Sequence, residues 1–265
     1  MKRQTMENDW LKDIEGVLCD LDGVVYISET PIAGSIEAIR ILKQKQIPIR
    51  FLTNTSGRPV ASIHERLVRM GVDVGMDEII TPPVAAANYL KAKGIRSIYP
   101  VVSKSIRAYF NEQFELVETN PEVVVIGDIG DVWDYELMSR IFKLVMEGAE
   151  MLTLHKGRFW KTEAGLKLDI GAFVAGLEYS TGKKAYISGK PGSAFFEMGV
   201  NSLGLTSDKV LMIGDDVDGD IGGAQNAGVK GILVRTGKFR QEILEASPVT
   251  PDLVVDSLEA FSKLV

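Results

Sequence analysis

Apolar residues along the chain gather into short runs at 17–19, 47–52, 123–126, 151–154, 210–213 and 232–234. Each is long enough for a buried strand and too short for a buried helix. Between most of them the apolar positions fall at helical spacing, over 35–45, 59–70, 83–93, 135–147, 172–180, 194–203 and 221–227. Gly71, Gly94, Gly204 and Gly228 stand just past four of those stretches, where helices stop. Strand and helix in alternation predict a parallel sheet flanked by helices, an α/β fold.

Polar residues punctuate this pattern where strands end. The first run closes on Asp20-Leu21-Asp22-Gly23. In a continuing strand Asp20 and Asp22 share one face at the carboxyl end, the edge at which open α/β sheets hold ligands. Two adjacent carboxylates repel at neutral pH, and a shared proton or a hard divalent cation such as Mg2+ relieves them. Read alone, Asp-x-Asp-Gly is also what a strand-to-turn junction favours. The second run ends on Thr53-Asn54-Thr55-Ser56-Gly57-Arg58-Pro59. Its hydroxyl, carboxamide and backbone donors suit phosphoryl oxygens, and equally suit capping of the helix that starts near Pro59.

Lys190, in Ser188-Gly189-Lys190-Pro191-Gly192, precedes a helix. A cation there is disfavoured unless an anion is near, although a solvated lysine in a Gly/Pro turn reads the same way. The run at 210–213 ends on Gly214-Asp215-Asp216-Val217-Asp218-Gly219-Asp220. Helix capping accounts for part of this acidic set and leaves Asp215, at the strand end, to a cation or strong donors. The clusters lie near residues 20, 54, 190 and 215, whereas 81–180 repeats the strand and helix pattern without one. That distribution predicts a Rossmann-like core made of 1–80 and 181–265, with an α/β domain inserted as 81–180.

Composition narrows the partners. The 30 basic and 36 acidic residues include no basic block that would track nucleic acid. Cys19 is the single cysteine, so an intrachain disulfide is excluded and the thiol reads as a small core residue. Neither an apolar signal-peptide core nor a run of membrane-spanning length is present, and the expectation is a cytoplasmic chain with no membrane partner. Two rival motifs fail on spacing. Residues 177–184 imitate a P-loop with Leu177 at the first glycine and Lys184 at the final Ser/Thr, and Asp216-Val217-Asp218-Gly219 is one step short of a calcium loop.

In this order and spacing the four clusters resemble the motifs of the haloacid dehalogenase superfamily of aspartate-nucleophile phosphatases, over essentially the whole chain. The resemblance implies Asp20 as nucleophile and Asp22 as general acid and base. It implies Thr53, Asn54 and Lys190 on the substrate phosphate. Mg2+ is implied on Asp20, Asp215 and the Asp22 backbone carbonyl, with Asp216 and Asp220 orienting the groups around it. Residues 81–180 resemble the large α/β cap of subfamily IIA, with His155, Arg158, Trp160 and Lys161 as candidates for contact with the leaving group, and a solvated, partly packed loop as the alternative.

The segments 157–161, 165–171, 222–228 and 235–239 draw the likeness toward the branch acting on inorganic pyrophosphate and on phosphohistidine or phospholysine. A small phosphomonoester is the alternative substrate, and a catalytically silent module that binds phosphorylated ligands is the alternative function. The resemblance also implies a homodimer through the cap as one assembly.

Overall fold

The computed structural model describes residues 9–162 and 165–265, which form two compact units. One takes the chain through Thr53, then His64–Ile80 and Phe196–Val265; the other takes Asn54–Ile63 and Thr81–Phe195. Each unit has its own parallel sheet. The expected helix stops are present, since Gly71, Gly94, Gly204 and Gly228 all adopt positive φ.

The first unit holds a six-stranded sheet in the order Leu253–Val255, Lys230–Val234, Val210–Gly214, Gly16–Cys19, Ile49–Leu52, Ile79–Ile80, every pairing parallel. Gly16–Cys19 and Val210–Gly214 are buried at every position, as expected for strands covered on both faces. From the Gly16–Cys19 strand the chain winds outward first through Ile49–Leu52 and later, on the opposite side, through Val210–Gly214. The sheet therefore has its topological switch point at the first strand, where the opening between neighbouring connections favours a ligand site.

The second unit has a five-stranded parallel sheet in the order Tyr186–Ile187, Glu150–Thr153, Val123–Ile126, Ser97–Val101, Glu115–Leu116. Its central strand alternates sides. Val123 and Val125 pack with Leu90, Ile106 and Phe110 on one face, and Val124 and Ile126 with Ile141, Leu144 and Leu177 on the other. The hairpin Phe159–Thr162 and Gly165–Leu168 is antiparallel and forms a separate two-stranded ribbon.

Ser97–Val101 carries Pro100, which sequence patterning excludes from a central strand. The register explains why it is tolerated. The Glu115–Leu116 strand pairs only with Ser97 and Ile98, so beyond Ile98 the strand is bonded on one side alone and the missing N–H removes no ladder bond there. No helix among the described residues is long and apolar enough to cross a membrane.

Candidate active site

Strand register brings the first and fourth acidic clusters together. Cys19 lies opposite Ile213, so the residues just past the two strand ends, Asp20 and Asp215, become neighbours, and the Asp20 N–H donates to the Ile213 carbonyl at 2.9 Å. On the other flank Cys19 lies opposite Phe51, which sets Thr53 at the next strand end, 1% exposed. Asp20, Asp215 and Asp220 are all buried, with one carboxylate oxygen from each within 4.8 Å of the others.

Backbone donors hold this trio in place. The Lys238 N–H reaches an Asp215 oxygen at 2.7 Å, and Asp220 Oδ2 accepts from the N–H groups of Asp215 and Asp216, each at 3.1 Å. Asp220 lies on a π-type turn, Val217–Gly222, where sequence periodicity predicts the start of an ordinary helix; that helix is shortened to Gly223–Asn226. Asp216 caps the turn through its Oδ1, which accepts from the Gly219 N–H at 2.9 Å. The wider turn is where Asp220 leaves the periodic pattern to face back toward the strand end.

Glycine permits the closest approach. Gly23 and Gly237, both at positive φ, flank the Asp215 carboxylate, and a Cβ on either would run into it. A Cβ on Gly23 would also lie 3.0 Å from the Gly237 Cα. The two loops can close over the aspartate only without side chains at these positions.

Burial pushes the Asp215 carboxyl well above the usual carboxylate range, and the charges of Asp20 and Asp220 push it in the same direction against the Lys238 N–H. Such a set is complete only with a proton or a cation, and its ligands are all hard oxygens, so the residues present fit a small divalent metal ion. The Lys238 ammonium stands 3.4 Å from Asp216; although burial opposes its charge, Asp216, Asp215, Asp220 and Asp20 together raise its pKa.

Asp22 differs from its neighbour. It is exposed, and it accepts a hydrogen bond from the Tyr26 hydroxyl at 3.2 Å. Burial, followed by the charge of Asp22, raises the Tyr26 pKa, so the phenol keeps the proton it donates. Two carboxylates two residues apart thus occupy different environments, one buried among acids and one at the surface with a neutral donor.

The remaining motif residues lie in the second unit. Asn54 clasps the Lys190 backbone from both sides: Oδ1 accepts from the Lys190 N–H at 2.9 Å and Nδ2 donates to its carbonyl at 3.1 Å. Gly189 admits this contact, because a Cβ there would stand 2.8 Å from Asn54 Oδ1. Lys190 is 4% exposed, which excludes the solvated turn lysine.

Sequence patterning places no polar cluster within 81–180, and here the structure differs. His155, Thr153 and Glu178 are buried in that stretch. His155 Nε2 lies 3.1 Å from Ser56 Oγ, and its Nδ1 lies 3.7 Å from Asp169 Oδ2. A solvated loop therefore does not describe His155, whereas Arg158 is exposed. Trp160 and Lys161 fall within the strand Phe159–Thr162, and their side chains lie outside the described residues. His64 is part-buried and bonds the Val74 carbonyl at 3.0 Å.

Sequence reasoning gave Tyr26, Gly237 and Lys238 no role in the site, although 235–239 is one of the segments that carry the resemblance. The signal for the last two was a Thr-Gly-Lys turn two residues past the strand Lys230–Val234, at the same sheet edge as the aspartates.

Comparison with known proteins agrees with this geometry. A haloacid dehalogenase-like hydrolase family model matches residues 17–113, and a HAD-hydrolase-like model matches 187–261. Human phospholysine phosphohistidine inorganic pyrophosphate phosphatase is 38% identical over 254 residues, covering 94% of this chain and 93% of the relative. Human haloacid dehalogenase-like hydrolase domain-containing protein 2 is 35% identical, covering 92% of this chain and 93% of the relative. Among solved structures, 4-nitrophenylphosphatase from Thermotoga maritima superposes with a TM-score of 0.88 at 30% identity, over 96% of this chain and 98% of that one.

The chain belongs to the haloacid dehalogenase superfamily of hydrolases. Within that family it is a phosphatase.

Proposed function

We propose that the chain is a Mg2+-dependent phosphatase of small phosphorylated compounds that works through a phosphorylated Asp20. The observation that supports this most is the buried trio of Asp20, Asp215 and Asp220 at the carboxyl edge of a parallel sheet, with exposed Asp22 beside it. Residues 1–80 and 181–265 are assigned on motif order to the catalytic core and 81–180 to the cap, while 54–63 and 181–195 pack in the second unit. Asp20, Asp215 and the Asp22 carbonyl would hold the Mg2+ ion, which supplies positive charge that keeps Asp20 ionised beside an anionic substrate.

An Asp20 oxygen then attacks phosphorus, the bond from phosphorus to the leaving-group oxygen or nitrogen breaks, and Asp22 delivers a proton to the departing atom. In the second half Asp22, now a carboxylate, takes a proton from water as the water oxygen attacks the same phosphorus and releases Asp20. Thr53, Asn54 and Lys190 are assigned, on motif order, to the phosphoryl oxygens, where fixed donors and a cation favour the developing charge. Asp220 and Asp216 orient the surrounding backbone and the Lys238 ammonium.

The substrate class follows the two relatives. Inorganic pyrophosphate, or a phosphorylated histidine or lysine, is the first expectation; a phosphomonoester of the nitrophenyl phosphate kind is the second. Phosphate release from a panel of these compounds, with Mg2+ and with EDTA, tests both. Metal-dependent release is the expected result, and Asp20→Asn lowers kcat by at least about 10³-fold. A wild-type rate in that variant, free of deamidation, overturns the nucleophile assignment. Silence of the wild-type protein on the whole panel replaces the enzyme with a phospholigand-binding module.

A further inference from the structure

Ser56, His155 and Asp169 form a row inside the second unit that superficially resembles a hydrolytic triad, with Ser56 Oγ 3.1 Å from His155 Nε2 and Asp169 Oδ2 3.7 Å from His155 Nδ1. The details point elsewhere. A triad needs Nδ1–H donating to the carboxylate and Nε2 accepting from the serine. Here the Gly157 N–H donates to Nδ1, at 3.4 Å, and Asp169 lies beyond hydrogen-bond distance of it. An Nδ1 that accepts leaves the proton of a neutral imidazole on Nε2, and a doubly protonated ring carries one there too. In both states the histidine donates to Ser56 rather than activating it.

We propose that His155 is a positioning residue that fixes the Thr53–Pro59 loop through an Nε2–H bond to Ser56. The inference rests on the reading of that loop as phosphate-binding. Ser56 lies two residues after Asn54, and the loop is tied to the rest of the second unit on both sides of it. Asn54 holds the Lys190 backbone, and the hydroxyls of Ser103 and Ser105 donate to the Gly57 carbonyl at 3.0 and 3.1 Å. His155 is itself anchored, because Thr153 Oγ1 donates to its carbonyl at 2.6 Å and the ring is buried. A Cβ at residue 157 would meet the Asp169 carboxylate where it now sits beside the ring. A few hydrogen bonds on adjacent residues thus set where the Asn54 carboxamide stands.

The chain has only two histidines, His64 and His155, so imidazole nitrogen NMR of uniformly labelled protein reads this directly, with His64→Gln for assignment. About two units above the free imidazole pKa of about 6.5, His155 is expected to show a protonated Nε2 and a bare Nδ1. The opposite tautomer, with the proton on Nδ1, overturns the proposal. Kinetics supply the second arm. His155→Leu and Ser56→Ala are each expected to lower kcat/KM about tenfold, and the double variant no further, because both remove one bond. His155→Gln, which keeps an N–H donor, restores most of the loss. Additive losses, or a folded His155→Leu at the wild-type kcat/KM, overturn the positioning role. If the wild-type protein releases no phosphate, it is the phosphatase reading that fails, and the tautomer measurement still decides the bond to Ser56.

Discussion

Asp215 shows at the residue scale how a charge can be unfavourable for the fold and required by the site. Its carboxyl is buried beside Asp20 and Asp220, and among the described residues the N–H and the charge of Lys238 answer it. Taking one of three crowded charges away relieves the metal-free fold, since removing buried like charge is stabilising when no counter-ion is present. Asp215→Asn is therefore expected to raise the melting temperature in EDTA by a few degrees, the equivalent of about 1 kcal/mol for a chain of this size. If the proposed Mg2+ binds the native state, the same variant is expected to lose the stabilisation that Mg2+ gives the wild type. Calorimetry with and without Mg2+ checks both halves, and a lower melting temperature in EDTA would show that Asp215 is satisfied without a cation.

In each unit, single polar side chains shape the elements that carry them. The turn Val217–Gly222 bends where Asp220 reaches two N–H groups, and the helix Gly171–Thr181 is tied down by Glu178. Glu178 meets Lys156 at 2.7 Å, Lys184 at 3.4 Å and the Ala185 N–H at 3.1 Å. Burial of Glu178 would raise its pKa, but Lys156, Ala185 and Lys184 overcome that and hold it below the usual glutamate range. A depressed native pKa contributes stability that is present above the unfolded value of about 4.3 and lost as pH falls through the native one. Glu178→Gln should therefore destabilise the protein by about 1–3 kcal/mol near neutral pH. The gap between variant and wild type should close as the pH drops below about 4. Urea unfolding at several pH values measures it, and a gap that persists in acid would place the effect in packing rather than charge.

At the scale of the whole molecule, the two units have separate sheets and separate cores. Phe110 is fully buried in the second unit, packed with Ile106, Phe114 and Val125. Phe110→Ala opens a cavity costing about 3–5 kcal/mol. The expected calorimetric trace gains an early transition for that unit, while the transition of the unit holding the acidic trio keeps its wild-type response to added Mg2+. A single transition shifted as a whole would show instead that the two cores melt together.

The sequence by itself determined the parallel α/β class, because buried strands and amphipathic helices impose different periods on apolar residues. It also marked every strand end at which Asp20, Thr53 and Asp215 stand, since charge or a cluster of polar donors directly after a buried run is costly without a purpose. The short strand Tyr186–Ile187 and the Pro100 strand were not legible, because two residues carry no period and proline argues against a central strand. The tertiary structure alone decided that Asp220 joins Asp20 and Asp215, that the Lys238 N–H meets Asp215 from a distant loop, and that His155 meets Ser56 across 99 positions. Periodicity reports which face of its own element a residue occupies. Which distant element that face meets depends on strand order and register, and these are fixed only when the sheets form.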